Sequence, residues 1–241
     1  ATNKKNINNL KTIFSEYIIY ALITLVLILY QPDLSSSFII CFILISMLII
    51  GGLKIKYFIY MALTGASTLI LSIMFYPYMR NRFLNWFYNS NADPSSQVER
   101  AKQALHNGGV FGSGFSKSII KEGFMAEGHT DFILPIIGEE IGFIGILILF
   151  ILFFSFYFIS VKISKMAPDI FSSMVAIGIG FNILYYFLIN AAYVVGLIPP
   201  TGLAIPFISY GGSHTLFTLI SVGMLLNISK YCNVYKYNYL R

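Results

Sequence analysis

The sequence predicts an all-α fold: a polytopic transmembrane helical bundle of about six spans with one large extracytoplasmic loop. Three observations lead there. Hydrophobic residues make up 57% of the chain and charged residues 11%, whereas soluble domains hold roughly 45–50% and about 25%. Apolar runs that meet the ~20-residue requirement of a bilayer-crossing helix recur along the chain. Ten of the sixteen basic residues fall at junctions that share one side if the runs alternate across the membrane, and Lys and Arg near span ends mark the cytoplasmic side.

In order, Lys4, Lys5 and Lys11 precede the first run, about 14–30, and Gln31-Pro32-Asp33 separates it from the second, about 34–50. Lys54 and Lys56 lead into the third, about 55–76. A long polar segment, 77–132, follows and is expected to be the extracytoplasmic loop. The fourth run, about 133–160, is joined to the fifth, about 170–195, across Lys162 and Lys165; the sixth, about 206–229, ends in a tail with Lys230, Lys236 and Arg241. This partition is a single membrane domain, 1–241, with both termini cytoplasmic. The first run does not read as a removable signal peptide, because a second span follows at once and no small-residue cleavage pattern intervenes. Cys41 and Cys232 fall at separate depths, so neither a disulfide nor a cysteine metal site is expected.

On that orientation the unusual polar motifs share one face. His129, Thr130 and Asp131 stand where the fourth span begins, and Thr130 or Asp131 could simply cap it. Glu139 and Glu140 lie two turns deeper, where an acid costs roughly 2.5–3.5 kcal/mol on insertion scales; either a functional role or a structural pairing with a loop cation would account for each. The glycines of Asn107–Phe115 (NGGVFGSGF) lack the preceding strand and the Lys-Ser/Thr ending of a phosphate-binding loop. They read instead as permissive backbone that lets the loop re-enter or lie on the bilayer. The stretch IPPTGLAIPFISYGG, 198–212, breaks helices and presents Ser209 and Tyr210 on the same face. Asn190 reads as an interhelical hydrogen bond.

Together these blocks resemble the SEDS family (shape, elongation, division and sporulation; RodA-, FtsW- and SpoVE-like proteins). The matching residues are Gln31-Pro32-Asp33-Leu34, Gly108–Phe115, Glu127 with His129-Thr130-Asp131-Phe132, Gly138-Glu139-Glu140-Ile141-Gly142, and Thr201-Gly202 followed by Pro206–Gly212. The chain departs from the usual pattern at Ser35, Ser36, Arg100, Ala126, Gly128 and Ala204. The resemblance covers nearly the whole chain and corresponds to the last six of the ten spans usual in the family.

It implies a peptidoglycan glycosyltransferase of the bacterial plasma membrane, acting at its outer face on lipid II, in elongation, division or sporulation. A class B penicillin-binding protein is the implied partner, with nascent glycan and membrane lipids but no nucleic acid. Asp131 corresponds to the family's catalytic residue. A β-1,4 linkage made from an α-linked lipid pyrophosphate needs one inverting displacement and one base. The leaving pyrophosphate needs cations, for which Arg82 and Lys117 are the candidates, with a divalent cation (Mg or Mn) as a candidate helper. Glu127 and His129 would orient Asp131 or bind that ion, and Ser209, Tyr210 and Glu139 complete the candidate substrate-binding set. A flippase or transporter of lipid-linked precursors, and a non-catalytic scaffold for a transpeptidase, are the competing readings.

Overall fold

The computed structural model describes residues 34–52, 59, 67, 74–89, 97–118 and 130–238. The expected span 14–30 and most of 55–76 lie outside the described residues. Among the described residues the structure is helical, without strands, which is the all-α fold expected. The helices are α1 (Leu34–Ile50), α2 (Pro77–Asn89), α3 (Gln97–Gly108), α4 (Ile133–Met166), α5 (Ile170–Val194) and α6 (Gly212–Asn238). Three are long and apolar enough to cross a membrane: α4, α5 and the Gly212–Cys232 part of α6; Ser35–Ile50 is a shorter apolar helix.

Two features depart from the simple run-and-loop picture. The polar segment after residue 76 contains α2 and α3, and the sixth run begins its helix only at Gly212, because residues 206–211 are turn. Helix α3 forms because Val98, Ala101, Ala104 and Gly108 recur at three- and four-residue spacing and are buried, while Gln97, Gln103 and Asn107 are exposed. That spacing puts one stripe of small residues on one face.

The chain clusters into two compact units. The first includes α1, Tyr157–Asn182 and the chain from Leu219 onward. Here small residues permit close helix packing, as is usual where lipid supplies no hydrophobic drive to associate. A Cβ on Gly180 would press on Ser160 at 2.8 Å, and Ser160 is fully buried. The connection between α4 and α5 is closed by Ser164 Oγ and Ser173 Oγ at 3.0 Å. Asp169 caps α5, its carboxylate accepting the Ser172 N–H at 3.1 Å, which satisfies one of the four N–H groups a helix start leaves over.

The second unit comprises Leu71–Phe156 and Ile183–Thr218. Its core is aromatic: Phe187 stacks on Phe153 at 4.2 Å and meets Phe150 edge-on at 4.8 Å, and Phe132 meets Tyr193 edge-on at 5.3 Å. Trp86 of α2 donates its indole N–H to the Gly196 carbonyl at 3.0 Å. The aliphatic stem of Lys102 from α3 lies over the same glycine. These contacts fix α2 and α3 against the turn that follows α5, and all the residues described next belong to this unit.

Candidate active site

Asp131 occupies the turn just ahead of α4 and is half-buried. Among the described residues its carboxylate accepts one hydrogen bond, from Thr130 Oγ1 to Oδ1 at 2.8 Å. No backbone N–H of α4 reaches it, so its carboxylate is not spent on capping the helix. The other oxygen, Oδ2, lies toward Gly202, where a Cβ would stand 3.8 Å away. Gly202 has φ +69°, a conformation that suits glycine and leaves that edge of the carboxylate without a side chain over it.

The main chain of Asp131 is held more firmly than its side chain. Asn190 Nδ2 donates to the Asp131 carbonyl at 2.8 Å and to the Leu203 carbonyl at 2.7 Å, and the Tyr193 hydroxyl donates to the same Asp131 carbonyl. Tyr193 in turn lies 3.1 Å from Asn190 Nδ2 as an acceptor. Both side chains are fully buried on the last turns of α5. One amide thus ties the acid's backbone to the proline-rich turn. Two buried polar atoms, Asn190 Oδ1 and Thr201 Oγ1, make no hydrogen bond among the described residues. Such atoms cost about 1–3 kcal/mol each when left dry; Asn190 is itself bonded to the Asp131 carbonyl, and Thr201 directly precedes Gly202.

The turn itself is strained and pinned. Phe207 has φ +68°, which for a bulky residue costs on the order of 1–3 kcal/mol. It is held by the Ser209 N–H on the Ile205 carbonyl at 3.0 Å, and by the Ile205 N–H on Ser209 Oγ at 2.8 Å. Its ring lies 6.2 Å from that of Phe156.

Helix α4 breaks at Gly142 (φ +80°, ψ −169°). The break strips partners from backbone groups on either side, which inside a membrane protein must be satisfied elsewhere. The glycine loop satisfies them. Phe143 N–H donates to Gly109 O at 2.9 Å and Ile144 N–H to Val110 O at 3.3 Å, while Glu139 O accepts from Ser113 N–H at 2.9 Å and Glu140 O from Gly114 N–H at 3.1 Å. Backbones approach so closely that a Cβ on Gly108 would overlap the Gly138 carbonyl, and one on Gly142 would overlap Gly112 N and Val110 O. The permissive loop expected from the sequence is laced onto the kinked helix.

The placement of the candidate residues is uneven. Glu139 is fully buried, its carboxylate accepts the Ser118 hydroxyl, and no cation of the described residues pairs with it. Ser209 Oγ serves its own turn rather than facing outward. Lys117 and Tyr210 are exposed and stand outside the hydrogen-bonded cluster around Asp131. Glu127, His129 and the side chain of Arg82 lie outside the described residues. Two residues that sequence reasoning did not single out prove central, Tyr193 and Ser118, while Gly202, named there only within a matching block, borders the carboxylate. No three His, Cys, Asp or Glu side chains come together among the described residues to hold a metal.

Fold and site together define a polytopic helical membrane protein with a half-buried carboxylate at the head of a kinked span. The chain belongs to the FtsW/RodA/SpoVE family, described as cell cycle protein, whose sequence model matches residues 1–234. It is 35% identical over 231 residues to stage V sporulation protein E of Bacillus subtilis (strain 168), covering 95% of this chain and 63% of that protein. It is 35% identical over 219 residues to the "probable peptidoglycan glycosyltransferase FtsW" of Trichlorobacter lovleyi, covering 90% of this chain and 57% of that one. The chain therefore spans about three-fifths of the length of these relatives. Among solved structures, a chain of a peptidoglycan synthase complex that coordinates polymerization and crosslinking shares the fold with a TM-score of 0.68 at 22% identity, over 90% of this chain and 61% of that chain. The rod shape determining protein RodA of Thermus thermophilus shares it with a TM-score of 0.59 at 19% identity, over 95% of this chain and 61% of that chain.

Proposed function

We propose that this chain carries the catalytic acid of a peptidoglycan glycosyltransferase that polymerises lipid II at the outer face of the bacterial plasma membrane. Its expected partner is a class B penicillin-binding protein. The activity for which the Trichlorobacter lovleyi relative is named supports the reaction class. The observation that carries the assignment to Asp131 is its geometry. One carboxylate oxygen is occupied by Thr130, the other accepts no hydrogen bond among the described residues and faces a glycine, and the main chain behind it is fixed by Asn190 and Tyr193.

The chemistry needs little more from this group. Asp131 Oδ2 takes the proton of the acceptor sugar's hydroxyl as that oxygen bonds to the donor's anomeric carbon. The bond from that carbon to the lipid pyrophosphate breaks on the opposite face, giving the inverted β-1,4 linkage and a free lipid pyrophosphate. A well-placed base is worth typically 10²–10⁴-fold, and backbone clamping supplies the placement. Asn190 and Tyr193 act as positioning residues. Of the two cations the sequence offered for the leaving group, Arg82 remains the proposed one, because Lys117 is exposed outside the cluster around Asp131. A divalent cation, if used, would draw on Asp131 with Glu127 and His129.

The test is Asp131→Asn, which keeps the Thr130 contact and the clamped carbonyl but removes the base. In the full-length enzyme with its transpeptidase partner, lipid II polymerisation in detergent should fall by about 10²-fold or more, with thermal stability unchanged. Wild-type polymerisation by this variant would end the assignment, and use of detergent removes transport as an explanation.

A further inference from the structure

Between α3 and α4, Phe111 and Phe115 are 83% and 79% exposed, and Val110 is exposed beside them. These rings cannot simply fold inward. The Gly112 N–H is bonded to Gly108 O at 2.7 Å, Ser113 and Gly114 donate to α4, and Gly109 and Val110 accept from it. Ser116 adds a left-handed φ of +62°. The loop is thus held by its backbone with its two phenylalanines presented outward.

The place where it is held matters. From Phe143 to Val161 the α4 sequence carries no charge, and Lys162 follows; at 1.5 Å per residue this stretch is roughly 28 Å long, close to the ~30 Å hydrocarbon core. Gly142, where the loop docks, therefore falls at one boundary of that core. Just beyond the kink, where the loop docks on α4, Phe143 and Ile144 are also exposed, so exposed apolar side chains occur on both the loop and the adjoining helix. Lys117 is exposed at the end of the same loop. Aromatic side chains at a membrane boundary with a cation nearby match the headgroup region of a phospholipid bilayer.

We propose that residues 110–117 form an interfacial anchor, with Phe111 and Phe115 inserted among the acyl chains near the headgroups and Lys117 paired with lipid phosphate. The anchor registers the helix break to the bilayer surface. It rests on the membrane-spanning character of α4 and does not depend on the proposed activity.

The experiment places single tryptophans, Phe111→Trp and Phe115→Trp, in the full protein reconstituted into phosphatidylcholine–phosphatidylglycerol vesicles. Trp86 is retained and its signal subtracted using the parent. Each substitution replaces one exposed ring by another, and an unchanged melting curve verifies folding. The added emission should be shifted to the blue, protected from acrylamide, and lost in lipids brominated near the headgroup end of the acyl chain more than in lipids brominated near the chain terminus. Lys117→Gln should weaken the dependence of this quenching on anionic lipid. Emission at water-exposed wavelengths with full acrylamide access and no response to bromine would overturn the proposal. Protection that arises only after a protein partner is added would overturn it too, assigning the rings to a protein contact.

Discussion

Replacing Gly142 by Ala tests whether the break in α4 and the glycine loop are one structure. Two routes are open to the variant. If the kink persists, the new Cβ must occupy space now filled by Gly112 N and Val110 O at a backbone conformation that disfavours side chains, a strain of about 1–3 kcal/mol before any steric term. If the helix straightens instead, α4 recovers bonds from Phe143 and Ile144 to Glu139 and Glu140, but the loop loses every partner it has on α4. Four backbone bonds between the segments are then exchanged for two helical ones, and at a net value of about 0.5–1.5 kcal/mol each the deficit is again roughly 1–3 kcal/mol, before the bond from Ser113 Oγ to the Glu139 carbonyl is counted. Steric displacement adds to the first route and the lost Ser113 side-chain bond to the second, so the expected loss is about 2–4 kcal/mol. Reversible unfolding of the purified protein in mixed micelles measures it, with intrinsic fluorescence as the probe. A stability within about 0.5 kcal/mol of the parent would refute the idea that the kink and the loop depend on each other.

Other substitutions have different signs and readouts. Gly223 lies inside α6 with open space where a Cβ would go, so Gly223→Ala should raise stability in the same assay by about 0.5–1 kcal/mol. Asn190→Leu keeps volume but strands the Asp131 and Leu203 carbonyls and should cost roughly 2–4 kcal/mol, whereas Tyr193→Phe, with Asn190 still in place, should cost about 1 kcal/mol; both should slow polymerisation in the full enzyme. Glu139→Gln retains an acceptor for Ser118 and should leave polymerisation within a few-fold of the parent. A collapse as deep as that of Asp131→Asn would move Glu139 into the chemistry.

The long apolar helices were legible because a bilayer demands length and hydropathy, and both are properties of single runs of residues. Helix α3 was less legible, since its buried stripe is Ala and Gly rather than Leu or Ile, and its segment read as polar loop. The lacing of the loop to α4 was hidden for a sharper reason: it is made by backbone N–H and C=O groups, which every residue carries. Its only trace is the paired glycine blocks at 108–114 and 138–142, and glycine inside a membrane helix does not by itself announce a break. For Glu139 the sequence left a functional role and a cation partner open, and it gave no sign of the hydrogen bond its carboxylate accepts from a serine 21 positions earlier in the chain. Asn190 read as an interhelical hydrogen bond, whereas its amide reaches from α5 to main-chain carbonyls in the turns at Asp131 and Leu203, acceptors that have no side-chain signature. Asp131 stood out through family resemblance; physical pattern alone left it a possible cap. Tyr193 was one of 17 tyrosines with nothing in its neighbourhood to distinguish it.

The carboxamide of Asn190 has only two protons to give, and its shortest bonds go to the Asp131 and Leu203 carbonyls. The acid therefore has no address of its own: its coordinates are inherited from the proline-rich turn. A small molecule that shifted Leu203 sideways would misdirect the carboxylate without touching it, which makes this turn a place from which to inhibit the proposed reaction.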